Sequence, residues 1–136
     1  MKASVPPAVS INTTFPNAEI FGIKLVNGQK NPAIISVQNA EDTPIKIHLI
    51  GGSLWSLPPD FEVVRNLSMA RANLEIGPGD TSSLEYIINT ELHPQDLRLM
   101  LGAVVEHPEG QFSQVTAFNG TVSIVDAPIS MFDPQM

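Results

Sequence analysis

Residues 97–106 read Leu97-Arg98-Leu99-Met100-Leu101-Gly102-Ala103-Val104-Val105-Glu106. Successive side chains of an extended strand point to opposite faces. Leu97, Leu99, Leu101, Ala103 and Val105 then share one face, and Arg98 and Glu106 take the other. The pattern predicts a long central strand with one face in a core. Pro108-Glu109-Gly110 reads as its turn, and the chain returns from Gln111 to Val125. On the return, Phe118, Gly120, Val122 and Ile124 fall on the apolar side, while Asn119, Thr121 and Ser123 face solvent.

The same alternation extends towards the N-terminus. In Ile45-Lys46-Ile47-His48-Leu49-Ile50, the residues Ile45, Ile47 and Leu49 share a face opposite Lys46 and His48. Gly51-Gly52 offers a bulge or bend before Ser53-Leu54-Trp55. Weaker runs lie at Val9 to Thr13, Glu19 to Val26, Ile34 to Gln38, Phe61 to Leu67, Ala72 to Ile76 and Ser82 to Ile88. Asn27-Gly28 is a strong turn signal. Gly77-Pro78-Gly79-Asp80 reads as a hairpin or an edge-crossing turn. Short strands with a turn every eight to fifteen residues, and no crossover helix, predict an all-β fold. The expectation is an antiparallel, immunoglobulin-like β-sandwich of about seven to eight strands. Its core should include Ile47, Leu49, Tyr86, Leu99, Leu101, Val122 and Ile124.

A chain of 136 residues fits one domain with one core. Apolar residues make up 43% and charged residues 15%, which excludes a disordered polymer. The net charge is −7 with seven Lys and Arg in all, so no basic stripe is available for phosphates. Nucleic acid is therefore not an expected partner, and an anionic membrane surface would repel the domain. There is no cysteine, which excludes disulfides and thiolate chemistry.

Signals of catalysis are missing from the sequence. No phosphate loop, Gly-x-Ser-x-Gly elbow or His-Glu-x-x-His helix occurs. His93 and His107 precede prolines and read as loop residues, whereas His48 reads as an outward strand position. No catalytic residue, cofactor or metal is expected. Trp55, the one tryptophan, reads either as a buried sandwich residue or as an exposed contact with a partner. Three Asn-x-Ser/Thr sequons begin at Asn12, Asn66 and Asn119. Nine Asn and 18 Ser or Thr among 136 residues would give about one by chance. Asn119 is predicted to face outward, as is Asn66, which shares a face with Glu62 opposite Phe61, Val63 and Leu67. Glycosylation at Asn66, Asn119 and, less securely placed near a chain end, Asn12 is the expectation.

Several segments resemble one family in order and approximate spacing, over roughly residues 12 to 126. Phe118-Asn119-Gly120-Thr121-Val122 is similar to the closing sequon strand of the alpha subunit of the translocon-associated protein complex, also called the signal-sequence receptor alpha subunit. Val64-Arg65-Asn66-Leu67-Ser68 resembles its earlier sequon. Val37-Gln38-Asn39 with Asp42-Thr43-Pro44-Ile45, and Pro78-Gly79-Asp80-Thr81 with Leu84-Glu85-Tyr86, resemble its strand and turn segments. Asn39-Ala40-Glu41-Asp42 stands where that family has a glycine-bearing turn. The chain resembles the divergent fungal branch, the increased recombination centers type. The resemblance implies a non-catalytic domain in the lumen of the endoplasmic reticulum, spanning residues 1–127, with 128–136 starting a linker to a membrane anchor outside this chain. It implies contact with the protein-conducting channel, with nascent secretory chains and with other translocon-associated subunits. The alternative from the residues alone is a generic extracellular adhesion or protein-binding sandwich.

Overall fold

The computed structural model describes residues 9–16 and 22–127. Nine strands lie among them: β1 (Val9–Thr14), β2 (Ile23–Val26), β3 (Asn31–Asn39), β4 (Ile45–Trp55), β5 (Val63–Asn66), β6 (Ala70–Ile76), β7 (Thr81–Ile88), β8 (Gln95–Glu106) and β9 (Phe112–Val125). One sheet has the order β1-β3-β7 and the other β2-β9-β8-β4-β5, with β6 also on β4. Every pair is antiparallel except β2 on β9, which is parallel. This is the expected all-β sandwich, with one strand more than foreseen. Each strand falls on one of the runs read from the sequence, and β5 and β6 pair separately along one edge of β4. The first half of the Glu19 to Val26 run, residues 1–8 of the domain and the proposed linker at 128–136 lie outside the described residues.

Strand β8 lies between β4 and β9 and buries Leu97, Leu99, Leu101, Ala103 and Val105, as its alternation requires. Ala33, Ile35 and Val37 of β3, and Tyr86 and Ile88 of β7, close the core from the smaller sheet. Burying a side chain of the size of Leu or Ile contributes about 1.5–3 kcal/mol, so this cluster supplies the main stabilising term. Of the seven core residues expected, Ile47, Tyr86, Leu99, Leu101, Val122 and Ile124 are buried. Leu49 is not. Against β8 the register shifts between Ile47 and Leu49, so His48 is an extra residue there, whereas against β6 the two residues Ala72 and Asn73 stand opposite His48. Beyond that bulge the alternation reverses, and Ile50 and Leu54 face the core while Leu49 and Trp55 face outward. The expected irregularity at Gly51-Gly52 is absent, because both pair in register with Gly102 and Leu101.

Gly52 serves a different purpose. A Cβ there would lie 2.2 Å from the Met100 carbonyl oxygen. Backbone occupies the space a side chain would need, so β4 and β8 approach closely only through glycine. Two further bulges interrupt the larger sheet. The β8–β9 register skips Ala117, whose carbonyl accepts a 2.8 Å hydrogen bond from Thr13 Oγ1 of the facing sheet. The β4–β5 register skips Val64.

Buried asparagines hold the turns. Asn39 is fully buried; its Nδ2 donates to the carbonyls of Thr43, Ile76 and Gly77, and its Oδ1 accepts from the Glu41 amide at 2.9 Å. These bonds tie the β3–β4 turn to Gly77-Pro78-Gly79-Asp80, which is an edge-crossing turn: β6 pairs β4, and β7 pairs β3. Asn31 does the same at the opposite end, donating to the carbonyls of Val26, Gln29 and Ile88. Removing either side chain would orphan several buried groups at once. Among the described residues, no helix is long and apolar enough to cross a membrane.

Candidate protein-binding face

The bulges all lie in the larger sheet, and they shape its outer face. Register gives that face in rows. Asn119 pairs Met100, Met100 pairs Ser53, and Ser53 pairs Asn66, so one row crosses β9, β8, β4 and β5. The next row sets Gly51 against Gly102. On its far side Leu49 pairs Val104. Beyond the first row Trp55 pairs Arg98 and Val63. Two glycines opposite each other leave a floor without side chains, and larger residues stand around it. The result is a groove of about 540 Å³ whose walls include Leu49, Trp55, Met69, Met100 and Val104. No charged residue lines it.

Trp55 is thus outside the core, and of its two sequence readings the outward one fits its position. Its Nε1 donates to Ser53 Oγ at 2.7 Å, and its ring stacks on Phe61 with centroids 5.0 Å apart. Phe61 holds a φ of 47°, a left-handed conformation uncommon for an aromatic residue. Phe61, Val63, Val64 and Met69 are all exposed, Met69 by 64%. Exposed apolar side chains gathered on one edge mark a contact surface more often than scattered ones do.

All three sequon asparagines are exposed. Asn66 and Asn119 share the outer face of the larger sheet, whereas Asn12 pairs Ser36 on the outer face of the smaller sheet. Asn119 accepts a 2.8 Å hydrogen bond from Arg98 Nη1. The face expected for Asn66 needs correction. The bulge at Val64 sets Asn66 on the same face as Val63, not opposite it. Both still point away from the core.

The polar groups away from the groove form small, separate clusters. His48 hydrogen-bonds Glu106 through Nε2 and packs edge-on against Phe112 at 5.3 Å. His107 Nε2 lies 3.0 Å from Ser113 Oγ, and its Nδ1 lies 3.4 Å from Glu41 Oε1. Sequence reading missed this second cluster, whose members come from positions 41, 107 and 113. His93 lies in an exposed loop, as expected. Tyr86 donates its hydroxyl proton to the Ser68 carbonyl in the β5–β6 connection of the larger sheet, and burial pushes its phenol above the usual value. No group of three metal-ligating side chains occurs among the described residues. What the larger sheet offers chemically is apolar contact.

The family model for the alpha subunit of the translocon-associated protein (TRAP) matches residues 12–136. Increased recombination centers protein 22-2 of Candida tropicalis is 31% identical over 113 residues, covering 82% of this chain and 47% of that protein. Increased recombination centers protein 22 of Eremothecium gossypii is 24% identical over 109 residues, covering 80% and 49%. The chain spans about half the length of the curated relatives it matches. Among solved structures, the C-terminal domain of wzt aligns with a TM-score of 0.62 at 10% identity, over 92% of this chain and 78% of that one. The sporulation control protein Spo0M of Bacillus subtilis aligns at 0.50 and 9% identity, over 88% and 50%. At such identities these two show likeness of fold alone.

Proposed function

Because this chain belongs to the translocon-associated protein alpha-subunit family, we propose that its sandwich is the luminal domain of an accessory subunit of the endoplasmic-reticulum translocon. In this reading it contacts the protein-conducting channel and passing secretory chains, and performs no catalysis. The observation that carries the proposal is the family match, which runs through the whole described sandwich from residue 12 onward. The uncharged groove on the larger sheet supports a role in protein contact. The match also favours this reading over a generic extracellular adhesion module.

A domain held beside its partner by an anchor outside this chain needs little intrinsic affinity, because tethering raises effective concentration to about the millimolar range. Binding of the free domain to channel loops should accordingly be weak. With a net charge of −7, any preference for basic segments should fade with salt. The test is site-specific photo-crosslinking in microsomes that carry the full-length protein. Probes at Trp55, Gly79 and Glu109 should capture channel subunits or translocating chains. Capture of bulk luminal chaperones alone, with the channel present and active, would overturn the proposal.

Luminal placement also implies N-glycans on Asn66, Asn119 and Asn12, all of which are accessible to an oligosaccharide. Endoglycosidase should shift the band of the protein made in a eukaryotic secretory pathway, and Asn→Gln changes should remove the shift stepwise. An unchanged band with the native targeting signal present would remove that support.

A further inference from the structure

We infer that the groove on the larger sheet is the seat of the domain's own N-glycan on Asn66, with the first sugar held between Trp55 and Met69. The inference rests on the luminal reading proposed above, which supplies the glycan, and assigns that glycan a place on the fold.

Asn66 reaches the groove through the β4–β5 register. Ser53 stands directly opposite Asn66, so Gly51 and Trp55, two residues to either side of Ser53, are its diagonal neighbours, each about 7–8 Å away. Both line the groove, and so does Asn66 itself. The fold fixes the backbone of this sequon. The Leu67 amide donates to the Gly52 carbonyl at 2.9 Å, and the Ser68 carbonyl accepts from the Tyr86 hydroxyl. The Asn66 side chain is exposed, and no hydrogen bond holds it among the described residues. Asn119 differs on both counts. It stands outside the lining, and its Oδ1 accepts from the Arg98 guanidinium.

The shape of the groove suits a ring rather than a chain. Along the strands its floor is one residue pair long, because Gly51–Gly102 is closed on one side by Leu49–Val104 and on the other by Ser53–Met100. Met69 closes it beside β4, its Cγ 3.1 Å from where a Gly51 Cβ would stand. An extended segment has no run of that floor to follow, whereas a compact six-membered ring tethered at Asn66 needs none.

The chemistry agrees. A pyranose is uncharged, with C–H groups on its faces and hydroxyl groups round its edge. No charged residue lines the groove. Trp55 and Met69 offer an aromatic ring and a polarizable thioether to the C–H faces, while Ser53, Gln114 and Thr116 offer donors and acceptors to the edge. The bond from Trp55 Nε1 to Ser53 Oγ leans the indole along β4 towards the residue opposite Asn66, and Phe61 braces it by stacking. A seated sugar leaves Phe61, Val63 and Val64 as the exposed apolar edge open to a partner. The linkage takes one co-reactant, a polyprenyl-diphosphate oligosaccharide. Asn66 Nδ2 bonds the sugar's C1 and gives up a proton; the C1–O bond to the diphosphate breaks, and the lipid diphosphate leaves with the electron pair.

Trp55 is the chain's one tryptophan, so its fluorescence reads the seat directly. The 136-residue chain is made behind a targeting signal in a eukaryotic secretory pathway, its glycans are located by mass spectrometry, and acrylamide quenching is measured on the folded protein. Quenching of Trp55 should be roughly half of that in Asn66→Gln and in the unglycosylated chain made in bacteria. Asn119→Gln should match the parent, and trimming the glycan to its first sugar with endoglycosidase H should preserve the protection. A glycan on Asn66 with quenching equal to that of Asn66→Gln would overturn the seat and leave the luminal reading standing. So would a bare Asn66 in a chain glycosylated at Asn119 or Asn12. A chain bare at all three sequons would overturn the seat and the glycosylation expectation together. Protection lost on trimming to one sugar, or lost in Asn119→Gln, would overturn the assignment to the first sugar of Asn66. Equal protection in the bacterial chain would overturn it too: protection that fades on dilution gives the groove to a second copy, and protection that fades on deleting residues 128–136 gives it to the chain's own tail.

Discussion

The two outer faces of the sandwich come from the same alternation of side chains and have opposite character. On the smaller sheet the ladder is unbroken, and the rows Ser10–Gln38–Thr81 and Asn12–Ser36–Ser83 set hydroxyl and amide groups side by side. Ser36 and Ser83 are hydrogen-bonded through their hydroxyls at 2.9 Å. On the larger sheet four strand pairings are interrupted by register shifts. One of them turns Leu49 outward, and facing glycines open a hollow beside it. The regular ladder keeps these polar rows in step beside Pro32, Ile34 and Ile87, whereas the bulged one re-aims Leu49 outward. The difference sets the two faces apart in chemistry.

The largest expected effect tests the close approach beneath the groove. Gly52→Val would drive a Cβ to 2.2 Å from the Met100 carbonyl oxygen and 2.8 Å from Leu101 Cδ2. Backbone in the middle of a six-stranded sheet cannot yield by that much, so the variant should show no cooperative unfolding transition. Ser36→Val, on the flat face, should stay within about 0.5 kcal/mol of wild type. Comparable stability for the two variants, measured by urea denaturation, would mean that the sheets do not differ in this way.

The next effect tests the bulge at His48. Leu99→Ala should cost about 2–5 kcal/mol, since Leu99 is fully buried in the central strand. Leu49→Ala should cost about 1 kcal/mol or less, because its side chain lines the groove. Equal losses would return Leu49 to the core and remove the reversal of faces.

This pair of leucines also shows what could be read from the sequence. The inward faces of β8 and the end of β9 were legible because twelve- and fourteen-residue strands carry several turns of the same two-residue period. Asn119 was placed correctly for that reason. Leu49 and the face of Asn66 were misplaced because a bulge is one extra residue with no compositional mark. The groove was invisible since its floor joins Gly51 to Gly102, far apart in sequence; Gly51 alone reads as part of a bend, and Gly102 as one position of a strand. Asn39 reads as a turn residue and Asn31 carries no signal, and their burial could be known only once β6 and β7 had been assigned to different sheets.

A smaller effect tests the bond that joins the two faces' sheets. Tyr86 is the single tyrosine, so its titration can be followed by phenolate absorbance. Burial raises its pKa above the ordinary phenol value of 10.0 in the folded state. The unfolded chain therefore ionises first. The stabilisation is complete below pH 10.0 and is lost as pH rises through the folded value. The folded midpoint should lie above that of the denatured chain, and Tyr86→Phe should flatten the alkaline fall in stability. Coincident midpoints would mean that the hydroxyl is open to water and the sheets are less closely joined there.

The smallest effect concerns Glu41, His107 and Ser113, whose order matches the acid, base and nucleophile of a hydrolase. Their setting argues for a clasp between the β3–β4 turn and the β8–β9 hairpin. Ser113 lies in a regular ladder opposite Val105, not on the strained strand-to-helix turn that presents such a nucleophile in α/β-hydrolases. The Glu41–His107 separation of 3.4 Å is longer than the hydrogen bond that orients a catalytic imidazole. Glu41 is held by its own amide on Asn39 Oδ1, and His107 by a hairpin turn in which its amide donates to the Gln111 carbonyl at 2.8 Å. Each residue thus already has a structural reason to be where it is. Ser113→Ala should cost about 0.5–1.5 kcal/mol, the net value of one hydrogen bond. The wild-type chain should not react with a fluorophosphonate probe at Ser113. Stoichiometric labelling that His107→Ala abolishes would show an activated nucleophile, and the sandwich could no longer be described as acting through apolar contact alone.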